Sequence, residues 1–208
     1  MEKDMPSIEA LRSELIGDSP AIDRVRKSIS KIAPTNLPVL VVGETGVGKE
    51  IVVRLIHRLS ERSDKPFVAV NMAAVPESLA SATLFGHVRG AFTGATSDRL
   101  GLVQIADGGT LFFDELEVTS RETQRLILSF LDTGTFVPLG GEKRRTANVR
   151  FIAAARTHPN DLTPVLPDLL ARISGFVLEI PSLRERTEDI PKLAEYFLAS
   201  ISTVLEMT

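Results

Sequence analysis

Cysteine and tryptophan are absent from the 208 residues, tyrosine occurs once, and aromatic residues make up 5%. Without cysteine there is no disulfide framework, no thiolate metal site and no cysteine nucleophile. The three histidines, His57, His87 and His158, stand too far apart in sequence to read as a metal-ligand cluster. An excess of one charge is missing as well. The 24 Lys and Arg face 27 Asp and Glu, a formal net charge of -3, so no basic surplus points to nucleic acid. Long hydrophobic runs are lacking: the longest, Phe151-Ile152-Ala153-Ala154-Ala155, is far short of a membrane span. The opening residues carry no apolar stretch of the secretory type. What remains is 43% hydrophobic and 25% charged, ordinary for a globular chain of one or two domains whose core needs no metal or disulfide staple. A soluble, cytoplasmic protein is the expectation.

Helical and strand-like patterns alternate along the chain. Ser19 is placed to cap a helix whose first turn starts at Pro20. Ile22, Val25, Ile29 and Ile32 then keep a helical apolar period until Pro34. Val39-Leu40-Val41-Val42 is a short, wholly apolar run, the mark of a strand covered on both faces. Further strands are predicted at 67–70, 110–113, 150–154 and 176–180, with helices at 49–59 and 121–131 between them. Strands alternating with helices predict an α/β fold with a parallel sheet and crossover helices. Residues 188–205 read as a last helix with Ile190, Leu193, Ala194, Phe197 and Leu198 on one face. Either that face folds back on the sheet, or it packs on a small domain beyond.

The segment Gly43-Glu44-Thr45-Gly46-Val47-Gly48-Lys49-Glu50 directly follows the strongest strand and opens a helix, the setting that G-x-x-x-x-G-K requires. Glycines let backbone amides turn inward around a β-phosphate, and the helix N-terminus adds partial positive charge. Lys49 would reach the β- and γ-oxygens. The bland alternative is a glycine-rich turn followed by an exposed lysine. Position 50 departs from the general pattern, being Glu where most such loops place a Ser or Thr hydroxyl on Mg2+. A metal must then rely more on phosphate oxygens, water and another carboxylate. One is at hand, because Thr110-Leu111-Phe112-Phe113-Asp114-Glu115 is an apolar strand ending in two acids. In a parallel sheet the C-terminal strand ends are where ligands bind. Asp114 is suited to hold Mg2+ through its water shell, and Glu115 to polarise an attacking water. Together the two segments point to a P-loop nucleoside triphosphatase.

Gly90-Ala91-Phe92-Thr93-Gly94-Ala95 is a loop that presents one aromatic beside a small hydroxyl. From composition alone it reads as a turn tucking Phe92 into the core. The six residues nevertheless match, without change, the signature loop of the bacterial sigma-54 activators, the enhancer-binding AAA+ ATPases. The resemblance runs over about residues 15–198. Leu15-Ile16-Gly17-Asp18-Ser19-Pro20 looks like the start of that family's ATPase domain, and Pro66-Phe67-Val68-Ala69-Val70-Asn71 resembles its second strand. Ala106-Asp107-Gly108-Gly109-Thr110 resembles its lead-in to the acidic strand, and Leu183-Arg184-Glu185-Arg186-Thr187-Glu188-Asp189-Ile190 its approach to a helical lid. Lys49-Glu50 is also the family's own version of the P-loop.

The resemblance implies an AAA+ core with a mostly parallel five-stranded sheet flanked by helices. In it residues 1–20 lead in, 21–186 form the core, and 187–208 give the first helix of a truncated lid. It further implies a ring, usually a hexamer, with ATP and Mg2+ between subunits. The loop at residues 90–95 would touch sigma-54 in the closed complex of RNA polymerase holoenzyme, and hydrolysis would move it so that promoter DNA melts. DNA itself would be held by a domain absent from this chain. Asn71 matches a family residue that restrains the catalytic Glu until the partner is engaged; it ends a strand expected to lie next to the one carrying Glu115, and a side-chain amide can donate to a carboxylate. Arg172 matches the second of two arginines that act on the neighbour's ATP.

Three positions depart from the family's pattern. Its sensor strand ends in Thr-Asn or Thr-His, whereas the direct register here gives Ala155-Arg156, and Thr157-His158 would serve only with two residues inserted. Leu166 stands where the first arginine is expected, after a shortened, proline-rich segment, and Thr83 replaces a usual Glu. An arginine finger contributes about 10³ to 10⁵ in rate. A second function therefore stays open: a nucleotide-binding regulatory module in which hydrolysis is weak or lost.

Overall fold

The computed structural model describes residues 11–156, 158, 160 and 164–206. Residues 1–10 of the lead-in and Thr157 of the alternative sensor pair lie outside them. Along the chain come α1 (Pro20–Ile32), β1 (Val39–Val42), α2 (Lys49–Arg58), β2 (Phe67–Asn71), α3 (Glu77–Phe85), β3 (Gly86–His87), β4 (Arg99–Leu100) and α4 (Leu102–Ile105). There follow β5 (Thr110–Asp114), α5 (Arg121–Thr133), β6 (Thr135–Phe136), β7 (Arg145–Thr146), β8 (Arg150–Ala155), α6 (Pro167–Ile173), β9 (Phe176–Glu179) and α7 (Ile190–Glu206).

Five strands form one parallel sheet in the order β2-β5-β8-β1-β9. Successive side chains of a strand point to opposite faces, and here both faces are covered. Val39, Val41, Phe112, Ile152 and Ala154 pack with Ile22, Val25, Ile29 and Ile32 of α1 and with Val52, Val53 and Ile56 of α2. Leu40, Val42, Leu111, Phe113, Phe151 and Ala153 pack on the other side with residues of α3, α5 and α6. Each such side chain contributes about 1.5–3 kcal/mol on burial, which explains why β1 and β8 hold no polar residue between Arg150 and Ala155 or along Val39–Val42.

Ser19 caps α1 as expected, its hydroxyl accepting from the Ile22 amide at 3.2 Å with Pro20 in the first turn. The other end of α1 is closed by a buried cation. Arg150 donates to the carbonyls of Ala33 at 2.7 Å and Ile32 at 2.9 Å, where a positive charge suits the helix dipole. Burial, with Arg62 nearby, pulls this guanidinium down to about 10.

Several short elements escape the sequence reading: α3, α4, α6 and the two small antiparallel pairs β3–β4 and β6–β7. The final helix is present, but its predicted apolar face does not fold back on the sheet. Ile190, Phe197 and Leu198 remain exposed. What fixes its start is Asp189, whose carboxylate accepts from the Asp18 amide at 2.7 Å, the Ser19 amide at 2.9 Å and the Ser19 hydroxyl at 2.7 Å. Gly17 makes room for it: with φ of 134°, a Cβ there would lie 2.5 Å from the Asp189 carboxyl carbon.

Burial, the largest influence on Asp189, pushes its pKa up, but the hydrogen bonds from Ser19 and Asp18 outweigh it and the carboxyl sits below its ordinary value. A depressed folded-state pKa stabilises above the unfolded value and is lost as pH falls through the folded one. Asp189→Asn is therefore expected to lower stability by about 1.5–3 kcal/mol at neutral pH. The gap to wild type should close in denaturant melts as the pH drops below about 4, and a gap that does not change with pH would count against this account.

Candidate functional site

The parallel register brings four strand ends to one edge. Asn71 of β2 lies beside Asp114 of β5, and Ala155 of β8 lies beside Val42 of β1. The Gly43 amide continues this ladder by donating to the Ala155 carbonyl at 3.2 Å. From that point the chain turns through the glycine loop into α2. Gly46 and Gly48 have φ of 84° and 101°, a conformation in which an L side chain would be strained. Gly48 opens α2 without a side-chain cap, so the first-turn amides have no side-chain oxygen on them, as an anion site at a helix N-terminus requires.

A cavity of about 250 Å³ lies against this loop, lined by Thr45, Gly46, Gly48, Lys49 and Glu50 together with Asp114, Glu115, Glu117, Ala155 and Arg156. The Lys49 ammonium donates to the carbonyls of Gly43 at 2.7 Å and Glu44 at 3.0 Å. Burial holds it below the usual lysine range, against the opposing pull of Asp114 and Glu117. Bringing phosphate oxygens into the cavity would relieve that desolvation by giving the cation anionic partners. Glu50 also lines the cavity, its carboxylate paired with Arg54 one turn on at 2.7 Å.

The acidic pair is held differently. Asp114 accepts from the Glu115 amide at 3.1 Å. Glu115 has φ of 54° and ψ of 47°, and among the described residues it is the one non-glycine with positive φ. Such a backbone costs about 1–3 kcal/mol and persists only where its surroundings enforce it. The Glu115 carboxylate is engaged by the guanidinium of Arg156, and the Arg156 amide donates to Glu117 at 3.4 Å. Arg156 directly follows β8. Its pairing with Glu115 was not foreseen.

Asn71 is adjacent to the acidic strand, as predicted, but its side-chain oxygen accepts from the Ala73 amide at 2.9 Å and caps the turn at 72–74. Arg172 does not line the cavity. It projects from α6, more than half exposed, and pairs with Asp132 of α5 at 2.7 Å through Nε. Leu166 is part of the packing: its amide donates to Gln124 at 2.7 Å and its side chain lies against the core. Next to the glycine loop is a larger, apolar cleft of about 970 Å³, between Leu15, Ile16, Val47 and Ile51 on one side and Ile190, Leu193, Tyr196 and Phe197 of α7 on the other.

The loop at residues 90–95 stands apart from this cavity, between β3 and β4. Gly90 donates to the Ala95 carbonyl at 2.8 Å and Ala95 to the Phe92 carbonyl at 3.0 Å, with φ of 84° at Gly90 and 103° at Gly94. Arg89 and Asp98 close its neck, amide to carboxylate, at 2.8 Å. Phe92 is 36% exposed and meets His87 edge-on at 5.0 Å. Beside it lies the connection between β6 and β7, where a Cβ on Gly140 would come within 2.8 Å of Ala91.

A family model described as the sigma-54 interaction domain matches residues 15–179. The anaerobic nitric oxide reductase transcription regulator NorR of Aeromonas salmonicida is 45% identical over 192 residues, which cover 89% of this chain and 37% of that protein. The C4-dicarboxylate transport transcriptional regulatory protein DctD of Rhizobium meliloti is 44% identical over 191 residues, covering 90% and 42%. Among solved structures, NtrX from Brucella abortus in complex with ATP is similar with a TM-score of 0.84 and 35% identity, over 94% of this chain and 43% of that one. The chain thus spans less than half the length of these relatives. No helix among its described residues is long and apolar enough to cross a membrane.

The exposure of Phe92 makes a direct forecast. Phe92→Ala should change stability by less than about 1 kcal/mol. A loss of about 3–5 kcal/mol in thermal or denaturant unfolding, the cost of emptying a buried Phe site, would instead put the ring in the core.

Proposed function

We start from the fact that the chain belongs to the sigma-54 interaction domain family, and we propose that it binds ATP with Mg2+ and hydrolyses it. The work of that cycle would remodel the closed complex of sigma-54 RNA polymerase holoenzyme. One observation carries the reading: Lys49, Asp114 and Glu115 line a single cavity against a glycine loop whose helix has no side-chain cap. A nucleotide fits these residues, since an ammonium and uncapped first-turn amides form a cradle for phosphate. Asp114, at the end of β5 in the cavity lining, would hold the metal through its water shell. When bound, Mg2+ would neutralise charge on the β- and γ-oxygens.

In this mechanism Lys49 leaves the loop carbonyls for the β- and γ-oxygens. Glu115 accepts the proton of a water as its oxygen bonds to the γ-phosphorus, and the bond to the bridging oxygen breaks with its electrons going to ADP. Asn71 would orient Glu115 through the free amide end of its side chain. Arg172, exposed on α6, would serve the γ-phosphate of a neighbouring subunit in a ring, usually a hexamer. The loop of Gly90, Ala91, Phe92, Thr93, Gly94 and Ala95 would be the sigma-54 contact. We divide the chain as lead-in (1–20), AAA+ core (21–186) and first lid helix (187–208), with DNA held by a domain outside it, in a cytoplasmic protein.

A second reading, a nucleotide-binding regulatory module with weak or lost hydrolysis, is favoured by two particulars. Glu115 is engaged by Arg156, and Leu166 is built into the packing where an arginine would otherwise project.

Lys49→Ala is expected to abolish tight ATP binding in a titration, because the phosphates lose the ammonium held against the glycine loop. Glu115→Gln should keep binding and stop turnover, since the amide cannot take a proton. An ATP affinity within a factor of a few of wild type in the lysine variant would sink the reading of the loop. Equal loss of binding in the glutamine variant would sink the role given to Glu115.

Arg172→Ala should leave ATP affinity nearly unchanged and lower the rate only at concentrations where subunits associate. Mixed with Glu115→Gln, it should recover part of the activity, because some interfaces then pair an intact Arg172 with an intact Glu115. A mixture as inactive as its components, each still assembling, would show that Arg172 does not act across subunits.

A further inference from the structure

The charges at the strand ends cannot all be satisfied together once a triphosphate enters. Three carboxylates, of Asp114, Glu115 and Glu117, line the cavity with two cations, Lys49 and Arg156. Lys49 is committed to loop carbonyls on the α2 side. Arg156 is on the β8 side, its guanidinium on Glu115 and its amide on Glu117. The guanidinium is more than half exposed, whereas the Glu115 side chain is 19% exposed. The arginine is therefore the partner free to swing, and the glutamate, fixed by a left-handed backbone, is the one that stays.

We propose that Arg156 is a positioning residue that clamps Glu115 until the terminal phosphate of a nucleoside triphosphate draws its guanidinium away, so that Glu115 is released as a base only in the triphosphate state. This rests on the nucleotide reading of the cavity given above. A guanidinium fork pairs with either a carboxylate or a phosphate, and a terminal phosphate offers it three acceptor oxygens and more negative charge than one carboxylate. A diphosphate ends one group short and leaves the fork where it is. The same movement brings a cation of this chain to the γ-phosphate in cis, the role an arginine finger fills when supplied by a neighbour. Release and charge neutralisation thus become one event.

The test is a double-mutant cycle read by equilibrium binding, not by turnover. Affinities of the whole chain for ADP and for the β,γ-imido analogue of ATP, both with Mg2+, are measured by calorimetry. Arg156→Ala should weaken the analogue relative to ADP by about tenfold or more. Glu115→Gln, which loosens the clamp, should strengthen the analogue relative to ADP, and this gain should vanish when Arg156→Ala is also present. Arg156→Lys keeps the charge without the fork and should fall between; it also serves if the alanine variant unfolds in a thermal melt. An analogue-to-ADP ratio within twofold of wild type in both Arg156 variants would overturn the proposal. So would a Glu115→Gln gain of the same size in both backgrounds, because simple repulsion from Glu115 would then explain it. A wild-type chain that binds neither nucleotide would remove the nucleotide reading itself; one that binds both, with Arg156 inert, removes only the clamp.

Discussion

The Gly43 amide meets the Ala155 carbonyl one residue beyond the paired ends of β1 and β8. The glycine loop leaves β1 at that bond, and Arg156 leaves β8 at the same level. β5 lies on the other side of β8, in parallel register with it, so Asp114 and Glu115 emerge beside Arg156. β2 follows with Asn71 opposite Asp114. Asp114, Glu115 and Arg156 are thus placed by backbone pairing of a sheet whose faces are largely apolar. A slip of one residue in any of these strands would send every side chain to the opposite face, and the distinct packing of Leu40, Phe113 and Phe151 on one face and Val41, Phe112 and Ile152 on the other opposes it.

With no ligand the cavity balances its own charges. Its lysine sits on carbonyls and its arginine on a carboxylate, so neither cation is left without a partner. The arrangement suits a site that must open and fill repeatedly, because a cation left there without a partner would be destabilising. It also means that a ligand must displace existing contacts. In the proposed reading a phosphate would succeed because it carries more charge than what it replaces.

Much of this was legible in the sequence, for identifiable reasons. The strand at Val39–Val42, the cap at Ser19 and the period of α1 follow from continuous apolar runs and from residues with one local job. The adjacency of β2 and β5 agrees with the expectation drawn for Asn71. What failed to show had weak local signals. α3 buries Ala80, Ala82, Leu84 and Phe85 in a pattern without clean helical spacing, and the two antiparallel pairs are two residues long on each strand. Arg156 and Glu115 are 41 residues apart in sequence, so their contact depends on sheet order, which no periodicity encodes. The loop at 90–95 could be read only through resemblance, because composition argued for a buried Phe92.

The cavity and that loop are joined by two stretches of chain, residues 96–113 through β4, α4 and β5, and the stretch that leads from β2 into the loop. β2 ends at Asn71, the turn at 72–74 follows, and α3 runs from Glu77 to Phe85 and delivers Gly86 and His87 to the base of the loop. The turn at 72–74 touches the turn at 116–118 that follows Glu115, so both ends of α3 are tied to something that matters: the acidic segment at one end, the ring pair of His87 and Phe92 at the other. Continuity of this kind does not by itself transmit anything; coupling needs an element with two arrangements that both sites bias. The Arg156–Glu115 pair meets that requirement on the cavity side, since its closed form is seen here and its open form is what a terminal phosphate would favour. On the loop side, Gly90 and Gly94 have open space where a Cβ would stand. Beside the direct stretch at 96–113, α3 thus forms a second path between Glu115 and Phe92, through the contact of the two turns at one end and the base of the loop at the other.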